Sequence, residues 1–184
     1  MATQVGGWPN GRTAERSNSR PFLVEGARCR MGEVEKKLNA MGYLVPPLGG
    51  KGGNYVFHHL VGNVLYLSGN TGRVDGKLKY TGLLGKDVTI EQGYEMARNC
   101  ALNHLAMIKD AAGDLDRIEQ FLRMTGWVAS APGFVEQPKV VNGASDLFVE
   151  LLGKRGEHCR SAMGVTGLAG NAPVETELTL LVRV

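Results

Sequence analysis

An arginine and a glutamate near the C-terminus are the residues best suited to chemistry. Arg160 opens a short apolar run, and Glu175 lies in a second apolar run fifteen residues later. A fixed guanidinium can hold a carboxylate through two parallel hydrogen bonds, and a neighbouring carboxylate can hold and polarise a water molecule. The pair is therefore a candidate for binding a small carboxylate and delivering water to it. An ordinary surface ion pair is the alternative.

The segment between the two runs predicts how they are positioned. Glycine, asparagine and proline are concentrated in residues 166–173, which predicts a hairpin-like connection between two strands. Pairing of those strands would bring Arg160 and Glu175 within a few ångströms at one end of a sheet. Alternate residues of the last strand, starting with Val174, would share one face, and Glu175 and Glu177 would share the other.

Charge and cysteine content exclude several classes of site. Of 21 basic and 18 acidic residues, five arginines and two glutamates lie in residues 1–30, which leaves 16 of each in the remainder. A neutral body lacks the clustered basic face of a nucleic-acid-binding protein, so we expect no nucleic-acid partner.

The three cysteines lack metal spacing, and the glycine-rich residues 48–53 lack a phosphate-loop ending. We predict no metal and no cofactor, and no apolar run suits a membrane span.

Residues 1–30 differ from the rest of the chain. They contain no lysine and show no hydrophobic periodicity, which predicts a disordered or extraneous extension. Arginine enrichment also fits an organelle transit peptide, although Glu15 and Glu25 argue against it. We therefore predict a single domain over residues 31–184, in the cytoplasm.

Periodicity in residues 31–184 predicts an α+β fold. Gly62-Asn63 is a hairpin turn between two strands, and Thr89 with Gln92 forms a capping box that starts a long helix. His104 lies on the apolar stripe of that helix, where a hydrogen-bonded core histidine is expected. The other predicted elements are a helix over 32–41, a short strand near 78–80, a strand over 118–131, a helix over 138–152 and the two C-terminal strands.

Two helices on one face of a mixed sheet would leave the other face uncovered. Four leucines in the predicted strands are more apolar than a solvated face requires: Leu65, Leu67, Leu178 and Leu180. Exposed apolar sheet faces tend to become subunit interfaces, so these leucines are predicted to contact other copies of the chain.

Two C-terminal motifs, RSAMGV and NAPVETE, resemble the signature of the YjgF-like, reactive-intermediate-deaminase (Rid) family, formerly called L-PSP endoribonucleases. The resemblance continues in NYVFHHLVGNVLYLSGNTG and GDLDRIEQFLRMTGWVAS and spans roughly Gly32 to Val184. It implies a mixed sheet of the six-stranded type with two helices on one face. It also implies a homotrimer whose sheets form a central barrel, with a ligand cleft between subunits.

The resemblance implies roles for particular residues. Arg160 would hold the carboxylate of a 2-imino or enamine acid, and Glu175 would position the water that releases ammonia and a 2-keto acid. The backbone at Ala162 would add polar contacts. The remaining substrate-binding candidates are Tyr55, Ser68, Gly69 and Asn142.

Three departures from the family pattern suggest a divergent branch. Ala162 stands where deaminases often have cysteine, Gly164 where they often have an acidic residue, and NYV around Tyr55 where they usually have PYS. The hypotheses are hydrolytic deamination at an inter-subunit cleft, non-catalytic binding of small carboxylates such as 2-keto acids, and endoribonuclease activity. Hydrolysis requires Glu175, whereas binding requires Arg160 alone.

Overall fold

The computed structural model describes residues 31–184, and the predicted extension over residues 1–30 lies outside the described residues. The described part contains three α-helices and five β-strands. In chain order these are α1 (Glu33–Ala40), β1 (His58–Val61), β2 (Val64–Asn70), α2 (Ile90–Ala112), β3 (Ile118–Ala129), α3 (Gln137–Leu152), β4 (Cys159–Val165) and β5 (Val174–Val182).

The strands form one mixed sheet in the order β1-β2-β5-β3-β4. All neighbouring pairs are antiparallel except β3 and β4, which are parallel. A parallel pair needs a crossover connection, and α3 provides it. The predicted α+β fold is confirmed, with five strands rather than six in residues 31–184.

The predicted hairpin between the two C-terminal strands is wrong. β3 lies between β4 and β5 and pairs with both of them along most of its length. The connection over residues 166–173 therefore passes the end of β3 instead of making a tight turn. Ala129 donates its amide to the carbonyl of Pro173, and Ser130 donates its amide to that of Val165.

The strand predicted near residues 78–80 is also absent from the described structure. Asp75 and Gly76 adopt left-handed conformations, with φ of 50° and 75°. They form a tight turn between Val74 and Lys77, and residues 79–80 follow it as a bend. The side chains of Lys79 and Tyr80 then bond Glu95 on α2 at 2.6 and 3.1 Å, which ties this segment to the helix.

The core lies between the sheet and its helices. Alternate residues of β5 from Val174 to Val182 are buried, as their pattern predicted. The interface prediction for the four leucines is wrong, because all of them lie in this core with at most 6% exposure. Alternation identifies two faces of a strand but does not say which face the helices cover. Tyr66, on the opposite face of β2, is 50% exposed.

Glycines allow the helices to pack closely. A Cβ atom at Gly126 of β3 would lie 2.7 Å from the methyl groups of Val141 on α3. A Cβ atom at Gly143 of α3 would clash with the carbonyl oxygen of Tyr94 on α2. α3 is thereby fixed against both its strand and its neighbouring helix. None of the helices in residues 31–184 has the length and apolar character that a membrane crossing requires.

A buried polar network joins α2 to the ends of β2 and β5. His104 is fully buried, and its Nε2 lies 3.0 Å from the carbonyl oxygen of Thr176 and 3.1 Å from Nδ2 of Asn70. Its Nδ1 has no hydrogen-bond partner among the described residues. The prediction of a hydrogen-bonded core histidine is confirmed. Burial lowers the pKa of His104 from 6.5 to about 4.

Stability is expected to fall at acidic pH because of His104. The imidazole of His104 binds a proton near pH 6.5 in the unfolded chain but only near pH 4 in the folded chain. Its contribution to stability is therefore complete above pH 6.5 and is lost as the pH falls towards 4. The unfolding free energy should be about 2 kcal/mol lower at about pH 5 than at about pH 7 from this group alone. Urea denaturation at both pH values measures the difference.

His104→Gln should remove most of that pH dependence, whereas His59→Gln, a change at an exposed position on β1, should keep it. An equal loss of stability on acidification in wild type and His104→Gln would contradict the assignment.

Candidate functional site

Arg160 and Glu175 do not meet within one chain. Arg160 pairs with Met124 of β3, whereas Glu175 pairs with Trp127, three residues further along the same strand. An odd separation places the two side chains on opposite faces of the sheet. Their Cα atoms are two inter-strand spacings apart across the sheet and three residues apart along the strand direction, which together amount to roughly 14 Å. The prediction that strand pairing brings them within a few ångströms is therefore wrong for a single chain.

Arg160 is held against α3 by neutral acceptors. One terminal nitrogen donates to Oδ1 of Asn142 at 2.7 Å and to Oγ of Ser145 at 2.9 Å. The other donates to the carbonyl of Pro138 at 3.4 Å. None of the ion pairs among residues 31–184 includes Arg160. Burial lowers the pKa of Arg160, partly opposed by Asp146. A half-buried, fixed guanidinium without a carboxylate is suited to binding an anion.

Arg160, Asn142 and Ala162 form what we call the arginine group. Ala162 follows Arg160 by two residues on β4 and packs against the core on the same face. Asn142 is predicted by resemblance to lie near the cleft, and here it contacts Arg160 directly. Ser145 was missed by sequence reasoning. The available signal was a second polar residue one helical turn after Asn142, on the same face of α3.

Glu175 and Gly69 are the centre of a second set, the glutamate group, to which we add Ser68, the residue before Gly69 on β2, and Tyr55, which lines the same cavity as Gly69. The carboxylate of Glu175 lies against Gly69 of the neighbouring strand β2, in the space that a Cβ atom would occupy. Burial raises the pKa of Glu175, and the charge of Glu177 raises it further. A half-buried carboxylate with a raised pKa is a stronger base than an exposed one, which suits it to proton transfer.

The other members of the glutamate group have different surroundings. The hydroxyl of Ser68 donates to the carbonyl of Val56 at 2.6 Å and so bonds β2 to the segment that precedes β1. The hydroxyl of Tyr55 accepts from the amide of Gly52 at 3.3 Å. Tyr55 and Gly69 both line a cavity of about 560 Å³, whose other walls include residues 46–50 and part of α2.

Metal ligation has no support in the described residues. Residues 31–184 contain no group of three or more histidine, cysteine, aspartate or glutamate side chains placed to bind a metal ion. The side chains of Arg160 and Glu175 are of types suited to anion binding and to proton transfer, respectively.

Comparison with known proteins identifies the family. A family model described as "YjgF/chorismate_mutase-like, putative endoribonuclease" matches residues 35–173. The chain belongs to the YjgF-like family. Protein TCP17 of Trypanosoma cruzi is 37% identical over 147 residues, which is 79% of this chain and 92% of that protein.

Solved structures show how the chain is related within this fold. Atu1372 of Agrobacterium tumefaciens, a protein of unknown function, is 40% identical, with a TM-score of 0.76 over 82% of this chain and 92% of that one. TdcF of E. coli, solved with bound serine, is 19% identical, with a TM-score of 0.53 over 76% and 94% of the two chains. The second similarity shows a shared fold alone.

Gly69→Ala is expected to move the carboxylate of Glu175. The added methyl group would occupy the position of that carboxylate and push it towards solvent. Because burial is the main cause of the raised pKa, the pKa of Glu175 should fall towards its ordinary value. Carbon-13 NMR titration of labelled glutamate measures this. Gly167→Ala, where a Cβ atom would meet nothing within 4 Å, is the matched control. An unchanged pKa in Gly69→Ala would refute the proposed packing.

Proposed function

We propose that this protein hydrolyses reactive 2-imino acids to 2-keto acids and ammonia at a site shared by two copies of the chain. The observation that carries the proposal is the state of Arg160, whose charge is fixed by Asn142 and Ser145 without a carboxylate among the described residues. A small organic anion with a planar carboxylate is the natural complement of such a guanidinium. Glu175 supplies the group that acts on water.

The proposed reaction requires one proton acceptor and no cofactor. With the imine nitrogen protonated, Glu175 takes one proton from water as the water oxygen bonds to the imine carbon, which gives a neutral carbinolamine. The carboxyl of Glu175 then gives that proton to the nitrogen. As the C–N bond breaks and the carbonyl forms, the carboxylate of Glu175 takes the hydroxyl proton and passes it to the departing ammonia, which leaves as ammonium. Acid–base assistance of this kind contributes about 10² to 10⁴ in rate. The raised pKa of Glu175 supports both halves of this cycle.

Two copies are needed because one chain holds the groups apart. Arg160 and Glu175 lie on opposite faces of the sheet, and neither can reach a small ligand on the other face. The sheet face turned away from the helices carries Tyr66 and Met163, which are 50% and 42% exposed. Exposed apolar side chains on a sheet face support association between copies. We propose a homotrimer in which the arginine group of one subunit faces the glutamate group of the next.

Non-catalytic binding of small carboxylates such as 2-keto acids is the second candidate. It is favoured by the separation of Arg160 and Glu175, because a chain that holds Glu175 on the opposite face of the sheet can still bind an anion through Arg160. A binding protein needs only the arginine group, which is complete within one chain. Endoribonuclease activity has less support, because residues 31–184 carry equal numbers of basic and acidic side chains.

Glu175→Gln should abolish acceleration of imine hydrolysis while keeping ligand binding. The substrate is 2-iminobutyrate formed in place, and the expected loss in rate is about 10² or more. Arg160→Ala should lose both turnover and binding of 2-ketobutyrate. Glu177→Gln, on the same face of β5, is the matched control and should retain most activity. Absence of acceleration by wild type, with saturable binding that requires Arg160, would favour the non-catalytic binder.

Mixing two inactive variants tests the shared site. Arg160→Ala and Glu175→Ala subunits, refolded together in equal amounts, should recover about a quarter of wild-type activity, because that share of sites receives both intact residues. Each variant alone should be inactive. Failure of the mixture, when native mass spectrometry shows mixed oligomers, would place both residues in one subunit's site and contradict the two-copy arrangement.

A further inference from the structure

A chain of hydrogen bonds leads from Arg160 through two side chains to the backbone of Gly156. Oγ of Ser145 lies 2.9 Å from the guanidinium and 3.1 Å from Nε2 of His158. Nδ1 of His158 lies 2.7 Å from the carbonyl oxygen of Gly156. The serine comes from α3, and the histidine immediately precedes β4. The family resemblance assigned no role to Ser145 or His158.

The chemistry of the partners fixes the protons in this chain. A carbonyl oxygen can only accept, so Nδ1 of His158 carries a hydrogen and donates to Gly156. In the neutral ring, Nε2 must then accept, and the hydroxyl of Ser145 donates to it. The oxygen of Ser145 is left to accept from Arg160. Every group is satisfied, and the hydroxyl hydrogen of Ser145 points away from the guanidinium.

Protonation of His158 would reverse one of these bonds. Nε2 would become a donor to Ser145, whose oxygen would accept from both His158 and Arg160. The hydroxyl hydrogen would then be free for a new acceptor. A carboxylate on Arg160 is such an acceptor, and its negative charge favours the imidazolium form of His158.

The surroundings of His158 favour its neutral form in the unliganded chain. Burial lowers its pKa, the hydrogen bond to Gly156 opposes that change, and the charge of Arg160 lowers it further. Phe148 packs edge-on against the imidazole, with 6.1 Å between the two ring centroids. The nearby charges on α3 and on the segment before β4 are engaged elsewhere: Asp146 accepts from the hydroxyl of Tyr94, and Arg155 donates to the carbonyl of Ile118.

We propose that Ser145 and His158 are positioning residues of the anion site on Arg160, and that a carboxylate binds there together with a proton taken up by His158. The inference rests on the carboxylate site of the proposed function. It adds a second donor, Ser145, that contacts the ligand only when His158 is charged. Affinity for small carboxylates therefore rises as pH falls through the pKa of His158 in the complex.

Calorimetric titration with 2-ketobutyrate between about pH 5.5 and 8 tests this linkage. The measurements use Glu175→Gln as the parent, so that ionisation of Glu175 does not contribute. We expect affinity to rise about tenfold for each unit by which the ligand raises the pKa of His158. Titration in buffers of different ionisation enthalpy should show uptake of up to about one proton. NMR should show the pKa of His158 rising when the ligand binds.

Variants separate a positioning role from a purely structural one. The affinity of His158→Gln and of Ser145→Ala for 2-ketobutyrate should depend less on pH than that of the parent. Ser145→Thr, which keeps a hydroxyl, should restore the pH dependence. Ser161→Ala is the matched control, because this serine accepts from Arg123 on the other face of β4. Circular dichroism confirms that each variant folds.

The outcomes distinguish this inference from the function on which it rests. If Arg160→Ala leaves ligand binding unchanged, the carboxylate site itself is wrong. If Arg160→Ala abolishes binding but His158→Gln keeps the pH profile of the parent, the carboxylate site stands and the proton linkage is overturned. An unmoved pKa of His158 on ligand binding overturns the linkage in the same way.

Discussion

The structure depends on the two-sided pairing of β3. This strand holds β4 on one side in parallel and β5 on the other in antiparallel orientation. The parallel pair exists because α3 returns the chain across the sheet, and the packing of Val141 on Gly126 fixes that helix over its own strand. The position of Arg160 beneath α3 follows from this arrangement. So does its separation from Glu175, since a strand stands between them and their side chains leave the sheet in opposite directions.

The separation leaves two half-buried charged side chains that form no ion pair among residues 31–184. Removing a charge from water is costly unless hydrogen bonds or an opposite charge offset the loss. The charge of Arg160 is stabilised by Asn142 and Ser145, which accept hydrogen bonds from one terminal nitrogen but do not neutralise it. The loss of hydration at the charge of Glu175 is compensated less well, and the pKa of this carboxyl is therefore raised. An anionic ligand would neutralise the first group, and a protonated or water-bound state would relieve the second.

The elements that sequence predicted well depend on local interactions. The capping box of Thr89 and Gln92 begins α2, and the left-handed Gly113 ends it. The alternation of β5 and the buried position of His104 follow from periodicity in the same way. The sequence pattern that indicates each of these features lies within a single segment, although the burial itself requires the rest of the fold.

Strand order was not predicted, because it depends on which segments pair across the whole chain. Residues 166–173 suit a hairpin as well as the longer path that they take. The decisive signal was the succession of strand, helix and strand over residues 118–165, which is typical of a parallel pair. The prediction for the four core leucines, Leu65, Leu67, Leu178 and Leu180, failed for a related reason, since helix placement decides which face is the core. Ser145 and His158 are joined only by tertiary packing.

The division of the site also separates binding from hydrolysis. The arginine group and its hydrogen bonds belong to one chain, where α3 and β4 complete them. In the proposed mechanism, water activation requires Glu175, which reaches a ligand on Arg160 only if a second copy presents it. Under that proposal, anion binding would be a property of the folded chain and hydrolysis a property of the assembly. A change at the proposed subunit contact would then remove hydrolysis and leave anion binding in place. The two candidate functions therefore differ mainly in how two copies of the chain associate, because both use Arg160 to bind the carboxylate.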